Sequence, residues 1–163
     1  MIPEAKVKNV IASIYTFLMA NYTTTPLQLS GVPFSEEDNS EWVRVDAVVG
    51  PRQFNRQVSN GHLGARITVL LNMNVIVKQD VVEVGETGAG NIYRLTEIRD
   101  VLADLFRENQ SIPVNDHAGV PANQIGTLQC YEIDEQDLGF QEQQKLYIYN
   151  ITARLFYGLE FEV

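Results

Sequence analysis

Taken by twos, residues 65–77 set Ala65, Ile67, Val69, Leu71, Met73, Val75 and Val77 on one side and Arg66, Thr68, Asn72 and Asn74 on the other. That alternation predicts a half-buried β-strand, broken on its polar side only by Leu70 and Ile76. The apolar run continues through Val81, Val82 and Val84 into the glycine-rich stretch 85–90, where the period changes. From there Ile92, Leu95, Ile98, Val101, Leu102, Leu105 and Phe106 recur at the spacing of an amphipathic helix, with Asn91 placed as its N-cap. A strand with one apolar face and a helix with one apolar stripe each need a partner, so the helix is expected on the strand's apolar face.

The same reading predicts a first helix over residues 4–19, from Val7, Val10, Ile11, Ile14, Phe17 and Leu18, with Pro3 and Glu4 suited to its first turn. Two prolines and a glycine between Thr23 and Phe34 make the next stretch an extended connector. Residues 41–49 form a second strand, with Val43, Val45, Ala47 and Val49 inward and Trp42, Arg44 and Asp46 opposite. Residues 50–61 are long and polar for a tight connection and read as a projecting arm or loop. Beyond the second helix, residues 107–126 are polar and the chain becomes extended again at 127–133. The acidic stretch 134–139 is the expected turn into a last strand, in which Tyr147, Tyr149, Ile151, Ala153, Leu155, Tyr157 and Leu159 alternate with Ile148, Asn150, Thr152, Arg154 and Phe156. Helix, strand, strand, helix, strand, strand predicts a single α+β domain over 1–163, a mostly antiparallel sheet with two helices packed on one face.

Composition changes this picture little. The chain has 163 residues, 45% of them hydrophobic, with neither an apolar run of membrane-spanning length nor a signal-peptide block, so a soluble protein made inside the cell is expected. Charge says more. Twelve basic against 21 acidic residues give a formal net charge of −9, a surface that repels phosphate backbones.

Candidate chemistry is sparse. Gly85, Gly88 and Gly90 follow a strand and precede a helix, but their G-x-x-G-x-G spacing is not a dinucleotide fingerprint and no Lys-Ser or Lys-Thr completes a phosphate loop. His62, His117 and the lone Cys130 lack zinc-ligand spacing, and Cys130 in a strand-like run reads as a small buried residue. The acidic residues 132–137 lack the spaced ligands of a calcium loop. No catalytic residue, cofactor or metal is therefore assigned, and no enzyme activity is expected. The arginines stand out. Arg44, Arg52, Arg56 and Arg66 cluster in an otherwise acidic chain, with Phe54 among them; they read either as a solvated face or as candidate contacts with an acidic patch on a neighbouring subunit.

The order of these features, from the N-terminal helix through Thr25-Pro-Leu-Gln-Leu29, Glu41-Trp-Val-Arg-Val45, the arginine-bearing loop, the strand 65–77, the Gly-Thr-Gly-type turn and Val101-Leu-Ala-Asp-Leu-Phe106, resembles the tail terminator proteins of long-tailed bacteriophages. The resemblance covers residues 4–108 and the last strand. It implies a virion subunit, assembled in the host cytoplasm, that closes into a ring, usually of six, on the head-proximal end of the tail tube. There it would stop polymerisation and present the surface for head–tail joining, without cofactor or enzyme activity. The implied partners are further copies of the chain, the tube protein and the connector or neck protein. DNA only passes through the lumen, and no membrane is involved. The longer 107–126 segment and the acidic 134–139 stretch depart from shorter members of that family. The alternatives are a head-closure or connector protein and a small-molecule-binding α+β domain built on the glycine turn.

Overall fold

The computed structural model describes residues 7–50, 53–59, 62–79, 90–108, 111–118 and 123–162, of which 53–59, 62–66, 90–91 and 158–162 are described by backbone alone. Helix α1 spans Val7–Asn21 and is followed by a short strand β1, Leu27–Leu29, and by β2, Glu41–Val49. Strands β3, Gln53–Ser59, and β4, His62–Lys78, come next, then α2, Gly90–Glu108. Strands β5, Ser111–Asp116, β6, Asn123–Gln141, and β7, Leu146–Glu162, complete the chain. The glycine-rich stretch at 85–89 lies outside the described residues; α2 already begins at Gly90, so Asn91 lies within the helix and is not its N-cap.

All seven strands join one sheet in the order β1-β2-β4-β7-β6-β5, with β3 attached to β4 beside this path. Alternation dictated the centre of this sheet correctly. Strand β4 pairs with β2 from Glu41↔Val77 to Val49↔Val69 and with β7 over its whole length, His62↔Glu162 to Lys78↔Leu146. The sheet is mixed, however: β1 runs parallel to β2, Leu27↔Val43 to Leu29↔Val45, because the connector 30–40 lets the chain re-enter in the same direction.

Three segments differ from the sequence expectation, each for a local reason. Part of the 50–61 arm is strand β3, paired with the start of β4 through Gln53↔Arg66, Phe54↔Ala65 and Asn55↔Gly64. Two residues separate Ser59 from its partner His62, and they are Asn60-Gly61, the dipeptide favoured in two-residue hairpins, a signal that the length of the segment obscured. Strand β5 lies inside the supposedly irregular 107–126 segment, with Ile112 and Val114 fully buried. Its Pro113, which has no N–H to donate, is tolerated because β5 is the last strand of the sheet. The acidic 134–139 stretch is strand and not turn, since β6 runs on to Gln141. Asp137-Leu-Gly139 uses its turn chemistry for a bulge: Gly139 adopts φ 70°, and its N–H donates to Asp137 Oδ1 at 2.8 Å.

Both helices lie on one face. Val10, Ile14, Phe17 and Leu18 of α1 and Leu95, Ile98, Leu102 and Phe106 of α2 join Val69, Leu71, Met73, Val75, Ile151, Ala153 and Leu155 in one buried cluster. Phe17 and Phe106 meet with ring centroids 6.0 Å apart, so the two helices also pack on each other. Among the described residues no helix is long and apolar enough to cross a membrane.

Candidate functional site

The opposite face of the sheet carries the other half of every strand's alternation, and cross-strand register sets it out in rows. Trp42, Ile76 and Ile148 form the first, and Arg44, Asn74, Asn150 and Gln136 the next. Asp46, Asn72, Thr152 and Asp134 follow, then Val48, Leu70, Arg154 and Glu132. The middle rows are wired together: Asn150 Nδ2 donates to Asn74 Oδ1 at 2.8 Å, and Thr152 Oγ1 lies 2.9 Å from both Asn72 Oδ1 and Asn150 Oδ1. Carboxamides and hydroxyls that satisfy one another in this way leave a half-exposed polar surface.

The first row is covered instead of open. Trp42 is buried under Phe34, with ring centroids 6.0 Å apart, and under Lys78, whose Nζ sits 5.6 Å from the indole centroid. The Trp42 indole N–H donates to Gln28 Oε1 at 3.0 Å, and the same oxygen accepts from Arg44 Nε at 3.2 Å. Gln28 Nε2 and Arg44 both reach Glu36 Oε1, at 3.1 and 3.0 Å. Donation from Gln28, followed by the Arg44 and Lys78 charges, holds the Glu36 carboxyl below the usual carboxylate range. Arg44, chosen from the sequence as an intersubunit contact, therefore spends its guanidinium within the chain. Beside it is an open depression of about 320 Å³ lined by Gln28, Ser30, Val32, Phe34, Arg44 and Asp46.

The remaining arginine candidates belong to a different part of the sheet. Arg66 of β4 pairs through its backbone with Gln53 of β3 on one side and Gly158 of β7 on the other. Phe54 and Arg56 lie on β3, and Arg52 is outside the described residues. Here β2 has already ended at Val49 and the pairing of β6 with β7 stops at Leu128↔Tyr157. Residues 62–66 are thus the middle of a three-stranded arm formed by β3, β4 and the end of β7.

Sequence reasoning missed the polar contacts that dock the helices, because they join residues far apart in the chain. The Arg94 guanidinium forks onto Glu41, Nε to Oε2 at 2.9 Å and Nη2 to Oε1 at 2.6 Å, and also reaches Glu97 at 2.9 Å. The Glu41 bonds, then Glu97, hold the Arg94 pKa above its ordinary value. Arg99 stacks on Tyr149, 5.3 Å from the ring centroid, and bonds Glu135 at 3.4 Å and Asp100. On α1 the buried Ser13 Oγ accepts from Asn115 N–H at 3.0 Å and lies 3.3 Å from His117 Nε2. A serine beside a histidine invites a nucleophile reading, but Ser13 is 2% exposed in the α1–β5 contact, and the bond docks the helix. Cys130 is half-buried, and burial pushes its thiol pKa up, the reverse of an activated cysteine. Among the described residues no group of three or more His, Cys, Asp or Glu is placed to hold a metal ion.

No protein-family model matches the chain, and no curated protein matches it. Solved structures that match include one similar over 96% of this chain and 97% of its own length, with a TM-score of 0.53 and 13% sequence identity. At that identity the likeness speaks for the fold alone.

Proposed function

We propose that the chain is a structural virion subunit that forms a ring capping the head-proximal end of a long-tailed phage's tail tube, where it stops tube polymerisation and offers the head–tail joining surface. The order of sequence features supports this reading. The observation that carries it is the arm: β4 and β7 run past the helix-covered core and, with β3, extend the sheet through the arginine-bearing segment. A surface of this kind suits contact with a neighbouring copy or with the tube, because its three strands already hold one another and leave the outer edge of β3 without a partner strand among the described residues. A cap acts through affinity and shape, so enzyme activity and a cofactor play no part in the proposal. An acidic chain also suits a lumen through which DNA slides without sticking.

A head-closure or connector protein is the second reading, and its place in the particle separates the two. Gold-labelled antibody against this chain should decorate the head-proximal end of isolated tails that have not yet joined heads. Label on tail-free heads and not on such tails would assign it to the connector side and overturn the proposal.

A further inference from the structure

Among the described residues, two strand edges have no partner strand, and their sequences carry opposite charge. After Gln129, the last β6 residue paired with β5, the stretch from Tyr131 to Gln141 has β7 on one side and no strand on the other among the described residues. It carries Glu132, Asp134, Glu135 and Asp137, four carboxylates answered by two guanidiniums: Arg154 bonds Glu132 at 3.2 Å and Asp134 at 3.4 Å, and Arg99 bonds Glu135 at 3.4 Å. Arg99 is shared further with Asp100. Across the sheet, β3 pairs with β4 alone among the described residues, and its seven residues contain Arg56 and no acid. The other outer strands are protected against pairing, β1 by being three residues long and β5 by Pro113.

We propose that β3 of one copy adds to the open β6 edge of the next, so that the sheet continues from subunit to subunit around the ring. This deepens the ring reading and rests on it. Exposed tyrosine, leucine and phenylalanine side chains, Tyr131, Leu138 and Phe140, flank the acidic stretch and give an added strand apolar surface to cover. The charges select the geometry. Pairing β6 with β6 would set carboxylates opposite one another, which disfavours a two-fold dimer. Pairing β6 with β3 brings Arg56 to the carboxylates, and such a head-to-tail contact repeats until a rotation closes it into a ring. Acidic residues on the edge thus deter like-with-like association while accepting the basic strand.

The test is a cysteine scan on the full chain. In a Cys130→Ser background, Arg56→Cys is combined in turn with a cysteine at each position from 132 to 137, and assembled protein is oxidised. At one register a covalent ladder should appear, rising to the subunit number that native mass spectrometry finds for the wild type. A second measurement uses charge: Arg56→Glu should keep its melting curve and lose the ring mass. Adding Asp134→Lys should restore the ring, since Glu132 still answers Arg154. Intact rings with no ladder at any position, or rings indifferent to Arg56→Glu, would overturn this pairing and leave the ring reading standing. A wild-type chain that remains monomeric even with tail tubes present would overturn both.

Discussion

Gly126 and Tyr157 show what a single atom can decide in this fold. The Tyr157 side chain is fully buried, with its hydroxyl donating to Ile125 O at 3.0 Å, and a Cβ placed on Gly126 would clash with the hydroxyl end of the phenol, at its oxygen and Cζ. Gly126→Ala therefore has to displace a packed aromatic ring and break its hydrogen bond, at a cost of ~1–3 kcal/mol. Urea unfolding should show a lower midpoint with unchanged slope, and equal midpoints would mean that the ring can step aside. Tyr22 gives a pH signature at the same scale. Its hydroxyl is buried against Thr25 Oγ1 at 2.7 Å, and burial pushes its pKa from the ordinary 10 to about 12. A pKa raised on folding means that the unfolded chain releases this proton first, so the contribution is intact below pH 10 and is lost as pH rises through about 12. Burial raises Tyr15 and Tyr157 in the same direction. Melting temperature should fall across that alkaline window, and less steeply in Tyr22→Phe. Identical slopes would show that Tyr22 ionises as freely in the folded protein as in the unfolded one.

At the scale of elements, the helix-on-sheet unit holds the buried core. Leu102 is fully buried in the middle of the α2 stripe, within the cluster that contains Val69 and Leu71 of β4. Leu102→Ala should cost ~2–5 kcal/mol through lost burial and the cavity left behind, measured by chemical denaturation. A loss well under 1 kcal/mol would contradict the packing described above. This unit was legible in the sequence because its signal is repetitive: alternate apolar positions along β4 meet Leu95, Ile98, Leu102, Leu105 and Phe106 of the α2 stripe, whereas Ile92 and Val101, read as stripe members, are exposed. The elements that escaped lack such repetition. Strand β1 is three residues between prolines, β5 contains one, and β3 has Phe54 and Val58 as its only large apolar residues. Each exists because a neighbouring strand offers it a partner, which is tertiary context that no short window contains. The candidate site shows the same division. The arginine cluster was visible as composition, but the register that separates Arg44, tied to Gln28 and Glu36, from Arg66 in the three-stranded arm is a property of the sheet.

At the scale of the whole molecule, the proposed terminator role has to be met by a sheet with one helix-covered face, an opposite face whose middle rows are polar, and an arm. A terminator must accept a tube ring on one surface and refuse a further ring on the other, so its effect is on length. Without it, subunits continue to add to the open end, because each addition regenerates the surface that accepts the next. The proposed terminator role therefore predicts that lysates lacking this protein hold tails of irregular, excessive length that fail to join heads, while heads assemble and fill with DNA. A connector acts after length has been set, so its loss leaves tails of normal length and heads that leak DNA. Tail-length distributions from electron micrographs decide between these outcomes. The variance is the sensitive readout, since unchecked polymerisation broadens the distribution even where tube protein is scarce. A narrow distribution at the wild-type mean would rule out the terminator reading whatever the fate of the heads.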